Sequence, residues 1–303
     1  MADPNPVSAA PTPGAVSLSP SLHWSEAGQW SVVSEPLAVE EPLTIEIAYL
    51  RAGQPVRKLL AVTMRTPGAD EELAIGFLFA EGLIQRREDV SGGFAGETNG
   101  RGETIATWTV TLAAPPREDL QRVSRGLLTS SACGLCGRSS LAGLPLRAVD
   151  GAGAGPAWSV ALLAGLPDQL QRRQTNFART GGSHGAGLAD AQGNLLLVRE
   201  DVGRHNAVDK LIGGALRQNL SLADRVLVLS GRASFELIQK ASAAGIPVVT
   251  AVGAPSSLAV SLAHSAGITL VGFARGHRCN VYTHAGRVQP LAAAAEAEPA
   301  ARR

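Results

Sequence analysis

Four short apolar runs, each separated from the next by a helix-length stretch, constrain the fold of this chain more than any other feature. The runs are NLLLV (194–198), RVLVLS (225–230), IPVVTAV (246–252) and ITLVGFA (268–274). Between them lie helical stretches at His205–Gln218, Ala233–Ala244 and Pro255–Ala266. Strands of this length alternating with helices predict a mostly parallel sheet with helices covering its faces.

In an open parallel sheet, ligands lie beyond the carboxyl ends of the strands. The segments that follow the four runs are REDVGRHN (199–206), SGRAS (230–234), GAPSS (253–257) and ARGHRCN (274–280). Glycine lets a ligand approach the backbone, while serine hydroxyls and helix N-terminal amides donate to anions. Arg204, Arg232, Arg275 and Arg278 carry the forked guanidinium that grips phosphate bidentately. Any one of these segments is ordinary turn chemistry. Four consecutive strand ends of the same character point to a phosphorylated ligand. The candidate contacts are Asp201 and Arg204, then Ser230, Gly231 and Arg232, then Gly253 and Ala254. No segment matches Walker A or Gly-x-Gly-x-x-Gly, which argues against a triphosphate or a nicotinamide cofactor bound in the usual way.

The stretch RTGGSHGAGLAD (179–190) sets His184 among glycines. It reads either as a flexible turn with an incidental histidine or as backbone shaped for close approach, with His184 as acid, base or donor. Asp209 and Lys210 read as helix-face charges, and Glu200 and Asp201 as part of a salt-bridged helix start.

The N-terminal half has a different grammar. LTIEIAYL (43–50) alternates at a strand period, RAGQP supplies a turn, and KLLAVTM completes a hairpin. RTPGADEELAIGFLFAEGLI reads as helical, with Asp70, Glu71 and Glu72 at the positive end of the dipole. IATWTVTL (105–112) is β-rich, and 117–128 reads as a helix running into the cysteine segment. The expected organisation is a disordered arm over 1–22, an α+β lobe over 23–128, a mobile dicysteine loop over 129–140, an α/β ligand-binding lobe over 141–288 and a disordered tail over 289–303. The start of the chain lacks the pattern of a signal peptide, and no apolar run is long enough for a transmembrane helix. A soluble cytoplasmic protein is expected. The formal net charge of +1 gives no footprint for nucleic acid.

Of three cysteines, two stand in SSACGLCGRSS (130–140) as Cys133 and Cys136. A Cys-x-x-Cys is half a zinc site, a redox disulfide or a reactive sulfur. A closed zinc site needs a second spaced pair, and the chain supplies only Cys279 and scattered histidines. A reducing compartment disfavours a structural disulfide. Glycines around the pair and Arg122, Arg125 and Arg138 nearby suit an exposed thiolate that exchanges with a persulfide. Cys279 reads as a packed residue.

Several long stretches together resemble one family. They are MRTPGADEELAIGFLFAEGLI, SSACGLCGR, FARTGGSHGAGL, EDVGRHNAVDKLIG, SGRASFELIQKA, AGIPVVTAVGAPSSLA and GFARGHRCNVYT, in the family's order from about Glu35 to Thr283. The chain resembles the FdhD family of formate dehydrogenase accessory sulfurtransferases. That resemblance implies a sulfur carrier that takes sulfur from a cysteine desulfurase. It passes the sulfur to the molybdenum bis(molybdopterin guanine dinucleotide) cofactor before the cofactor enters formate dehydrogenase. It implies Cys133 as the persulfide carrier and Cys136 as the second thiol. It implies a cofactor-binding segment at Phe273, Ala274, Arg275, Gly276, His277 and Arg278, where a guanine nucleotide would also bind, and no metal of the protein's own. A cytidine-deaminase-like sheet and a homodimer are further expectations of the resemblance. The alternatives are a non-catalytic cofactor-binding chaperone and a zinc deaminase. The latter needs His-x-Glu ahead of its cysteine pair; here residue 186 is Ala and the cysteines precede His184.

Overall fold

The computed structural model of the chain describes residues 13–100, 103–116 and 157–289. The chain enters as a two-stranded antiparallel ribbon, β1 (Val16–Trp24) and β2 (Trp30–Ala38). A four-stranded sheet follows. Its first hairpin, β3 (Glu41–Arg51) and β4 (Gln54–Arg65), closes on Ala52 and Gly53, both at positive φ. That is the primed two-residue turn matching strand twist. β5 (Val90–Gly100) and β6 (Glu103–Leu112) complete the order β4-β3-β6-β5, with β6 parallel to β3. Leu43, Ile45, Ile47 and Tyr49 alternate onto the buried face. Over that core lies α1 (Asp70–Ala80), buried at every residue from Glu72 to Ala80. A helix apolar all round is one enclosed on all sides.

The second half is built on a six-stranded sheet. β7 (Trp158–Ser159) leads into α2 (Val160–Arg172) and the short α3 (Thr175–Thr180). β8 (His184–Ala189) and β9 (Leu195–Asp201) form a hairpin. Then α4 (Arg204–Arg217), β10 (Val226–Leu229), α5 (Phe235–Ala243), β11 (Val248–Ala251), α6 (Ser257–Ser265), β12 (Thr269–Arg275) and β13 (Arg278–Val281) alternate along the chain. β14 (Val288–Gln289) closes on β7. Val226 and Val228 face Leu163, Leu166 and Leu170 of α2, whereas Leu227 and Leu229 face the core shared with α4 and α5. Both faces are covered, which is why these strands read as continuous apolar runs. Among the described residues no helix is long and apolar enough to cross a membrane.

The predicted strands and helices of this half are present within a few residues, but the sheet is mixed rather than mostly parallel. Its order is β13-β12-β11-β10-β8-β9. Only β10 with β11 and β11 with β12 pair in parallel; β8 runs antiparallel to both its neighbours and β13 to β12. The reason is β8, the glycine-rich stretch around His184, which inserts between β9 and β10. Its glycines hide the strand pattern, and two of them are required. A Cβ on Gly185 would lie 2.5 Å from the Gln174 side chain, and one on Gly187 would lie 2.9 Å from Leu195. The arm expected to be disordered over 1–22 also differs: residues 16–22 belong to β1, because the alternation of VSLSPSLHW finds a partner in WSVVSEPLA. Residues 1–12, the helix expected at 117–128, the dicysteine loop and residues 290–303 lie outside the described residues.

The two segments expected as separate lobes share one core, which runs from Leu43 and Leu60 through α1 to Leu211, Leu227 and Leu270. α1 and α4 meet backbone to backbone. A Cβ on Gly76 would come within 1.8 Å of the Asp209 carbonyl oxygen, and one on Gly213 within 1.9 Å of the Glu72 carbonyl oxygen. Neither position has room for any side chain. We therefore expect Gly213→Ala, ordinarily a helix-favouring change of up to ~1 kcal/mol, to destabilise by about 3 kcal/mol or more through forced separation of the helices. Chemical denaturation of the two proteins measures it; equal midpoints would contradict the contact.

Candidate functional site

Since β8 is antiparallel to both neighbours, β9 runs in the same direction as β10, β11 and β12. The four strand ends singled out in the sequence therefore do lie along one edge of the sheet. His184 joins them, because β8 starts where β9 ends: His184 pairs with Asp201. The edge from β9 to β12 spans four strand spacings, roughly 19 Å.

The turns along this edge are interlocked through their backbones. The Ser230 hydroxyl accepts from the Gly185 amide at 2.8 Å. Gly253 N donates to Gly231 O at 3.0 Å, Ser256 N to Ala233 O at 3.1 Å, and Phe273 N to Gly253 O at 3.2 Å. Gly253 is pressed against Arg232, where a Cβ would sit 3.1 Å from its backbone nitrogen. The His184 ring lies beside Gly231, 3.5 Å from where a Cβ would be. α4, α5 and α6 all begin at this edge, so the positive ends of three helix dipoles gather there. The N-cap of α5 is Ser234, whose buried hydroxyl has no partner among the described residues.

At the far end of the edge, β12 bulges between Gly272 and Arg275 and turns back as β13. Phe273 sits in the bulge at φ 52, a region costly for a bulky side chain, and its ring is half exposed. Ala274 points into the core. Arg275, His277 and Arg278 are exposed around the tip, with Gly276 at positive φ. The Gly276 amide donates to Asp168 Oδ2 at 3.0 Å, which anchors the tip to α2. Among the described residues no carboxylate pairs with Arg204, Arg232, Arg275 or Arg278. The edge thus holds guanidiniums without carboxylate partners among the described residues, together with backbone amides and hydroxyls, an arrangement suited to phosphate groups; its acidic side chains, Asp168 and Glu236, are set against the Gly276 amide and His205 instead.

Asp201, expected from the sequence as a ligand contact, takes no part in the edge. Its side chain is fully buried, and its oxygens accept from Thr66 N (3.1 Å), Gly203 N (2.8 Å), Asn206 Nδ2 (3.2 Å) and Lys210 Nζ (2.7 Å). Four donors leave nothing for a ligand. Lys210 and Asp209, expected as surface helix charges, are also buried: Lys210 additionally donates to Thr66 O, and Asp209 pairs with Lys240 at 2.7 Å. Burial pushes the carboxyls of both Asp201 and Asp209 up, against the pull of their lysines. Asp168 was not foreseen, and Glu200 was expected only as part of a salt-bridged helix start. Glu200 accepts from Asn176 N, Phe177 N and Ser183 Oγ at 2.8–2.9 Å and so holds α3 beside β8. Nothing in the pattern REDVG distinguishes its two acids. Cys133 and Cys136 lie outside the described residues. Cys279 is half-buried against the α2 side of the sheet, and burial pushes its thiol up, away from thiolate chemistry.

A second concavity, of about 420 Å³, opens between the start of α1, β6, α3 and β9. Of its three arginines, Arg199 pairs with Glu72 and Arg217 with Glu71, while Arg173 donates to the Leu195 carbonyl oxygen.

The fold and the edge define a mixed α/β protein with an arginine-bearing, anion-suited sheet edge. The chain belongs to the FdhD/NarQ family, whose model matches residues 38–289. It is 52% identical over 246 residues to the sulfur carrier protein FdhD of Mycobacterium tuberculosis, covering 78% of this chain and 87% of that protein. It is 48% identical over 249 residues to the sulfur carrier protein FdhD of Streptomyces coelicolor, covering 78% and 86%. A solved structure described as a formate dehydrogenase accessory protein from Desulfotalea psychrophila superposes with a TM-score of 0.66 at 24% identity, covering 91% of this chain and all of that one. That likeness shows the fold.

Two outcomes are expected. Asp168→Ala frees the tip from α2, and hydrogen exchange should accelerate at Gly276 and its neighbours while β10 and β11 stay protected; an unchanged pattern would show the anchor to be idle. Burial, then the charges of Arg204 and His205, hold the His184 imidazole below the usual histidine value of 6.5, with Asp201 opposing. The unfolded chain therefore takes up this proton first as pH falls. His184 subtracts stability below about pH 6.5, and the loss is complete once pH passes its lowered folded value. His184→Gln should flatten that part of the stability curve, read as Tm between about pH 5 and 8. A slope identical to wild type would contradict the assignment.

Proposed function

We propose that this protein is a sulfurtransferase that carries sulfane sulfur to a molybdenum bis(molybdopterin guanine dinucleotide) cofactor during maturation of formate dehydrogenase. The observation that carries the reading is the convergence of Ser230–Arg232, Gly253–Ala254 and Phe273–Arg278 on one edge whose arginines have no carboxylate partner among the described residues, in a family member that retains Cys133-x-x-Cys136. The relatives' name, sulfur carrier protein FdhD, supports it. The cofactor is cargo, held by its phosphates on Arg232, Arg275 and Arg278 and on helix N-termini; a guanine nucleotide alone occupies the same edge.

The Cys133 thiolate attacks the terminal sulfur of a cysteine desulfurase persulfide. A Cys133 persulfide forms and the desulfurase cysteine leaves as thiolate. Attack of the Cys136 thiolate on Cys133 Sγ then releases hydrosulfide and leaves a Cys133–Cys136 disulfide. Oxidation of the two cysteine sulfurs to that disulfide supplies the two electrons which bring sulfane sulfur to sulfide, and an external dithiol reductant then returns the disulfide to the two thiols. The six-stranded sheet is read as cytidine-deaminase-like, the protein as cytoplasmic, and its assembly as a homodimer.

Intact-protein mass spectrometry after incubation with a desulfurase and cysteine tests the central step. One reducible sulfur adduct is expected on wild type and none on Cys133→Ala. Persistence of the adduct in Cys133→Ala would assign the carrier elsewhere. Undiminished cofactor maturation by the double Cys133→Ser, Cys136→Ser variant would leave a binding chaperone instead.

A further inference from the structure

The β1–β2 ribbon takes no part in the sheet-edge site, and nearly all of it precedes residues 38–289, which the family model matches. Its register pairs Leu18 with Pro36, Leu22 with Val32 and Trp24 with Trp30. Directly paired residues share a face, and side chains alternate along each strand. One face is therefore apolar except at Ser34, which lies opposite Pro20 in its middle. The opposite face carries Ser17, Ser19, Ser21, His23, Ser31 and Glu35, interrupted by Val33 and Leu37.

The apolar face is turned to solvent. Leu18 is 72% exposed, Leu22 69%, Trp24 55%, Trp30 64% and Val32 71%. Those five side chains present roughly 700 Å², where a standard stable interface takes ~800 Å² from each partner. Contiguous apolar surface of this extent marks an association site, and a lone two-stranded ribbon is marginal in water. The face is also preorganised: Trp24 and Trp30 pack against each other across the strands, ring centroids 4.9 Å apart.

We propose that a second copy of this chain covers this face, ribbon against ribbon about a two-fold axis. The face carries no charged side chain. Self-pairing therefore meets no like-charge repulsion, and the face offers nothing with which to select a charged partner. Edge-to-edge pairing is disfavoured because Pro20 in β1 and Pro36 in β2 each remove an outward donor. The area offered by each copy matches what a dimer requires. The base of the ribbon touches the functional half of the molecule: a Cβ on Gly182, two residues before His184, would lie 3.2 Å from Ala38 Cβ. Pairing thus sets the second copy close to the sheet edge. The inference gives a surface to the dimer of the preceding section and does not depend on the sulfur chemistry.

Light scattering and sedimentation of the full chain test it. Wild type should have twice the 31.2 kDa chain mass, and Leu22→Lys/Val32→Lys should raise the dissociation constant at least ~100-fold by burying four ammonium groups at the interface. Ser19→Lys/Ser21→Lys, on the opposite face, should leave the dimer intact. Far-UV circular dichroism checks that each variant is folded; should the double variant fail, Trp30→Ser is the substitute and should also dissociate. A dimer that survives the apolar-face variants would place the contact elsewhere and overturn the proposal. A monomeric wild type overturns it too. Tryptophans shielded from acrylamide would then mean cover by the chain itself, and accessible ones a different protein.

Discussion

The contact between α1 and α4 is the constraint on which the rest of the structure depends. At Gly76 and Gly213 the helices touch through their backbones, closer than any Cβ allows. This contact merges the core of the four-stranded sheet with that of the six-stranded sheet. Had either glycine been alanine, the two sheets would stand apart and the groups that cross between them would lose their partners.

Those groups are polar and buried. Asp201 at the end of β9 and Asn206 at the start of α4 hold Thr66, Met64 and Thr63 from the end of β4 and the turn after it, and Lys210 bonds both Asp201 and the Thr66 carbonyl. A buried ion pair gains little net stability over an apolar substitute, yet removing one partner strands a charge at a cost of about 3–5 kcal/mol. The contribution of the cluster is therefore geometric. It sets where β9 ends and where α4 begins, and so where Arg204 and His184 stand relative to the turns after β10, β11 and β12.

The edge itself combines rigidity with free charge. Backbone hydrogen bonds lock each turn to the next, and Asp168 pins the exposed tip at Gly276. The arginines on those turns are left without carboxylate partners among the described residues, and three helix dipoles add to them. A phosphate-rich ligand would thus meet donors whose ordering has already been achieved by folding, which is what preorganisation means energetically. Burial, with Arg204 nearby, holds the His184 proton affinity below the usual histidine value and so favours the neutral ring. It is thereby able to donate or accept without adding charge.

The repeating strand–helix units, the composition of the strand ends and the Cys-x-x-Cys are legible in the amino-acid order alone, since periodicity and turn chemistry are local properties of the chain. Arg204, Arg232, Arg275 and Arg278 could be read as a set because each follows an apolar run. Long-range packing, by contrast, is what slips β8 between β9 and β10, consumes Asp201 inside the protein and makes core residues of Asp209 and Lys210. Which strand pairs with which, and whether a charge finds a buried partner far along the chain, depends on contacts such as Lys210 with Thr66 and Lys240 with Asp209. Such contacts leave no local periodic trace. The same holds for Gly76 and Gly213: in the sequence they are two unfavourable residues inside helices, and only the crossing of the helices shows why nothing larger fits.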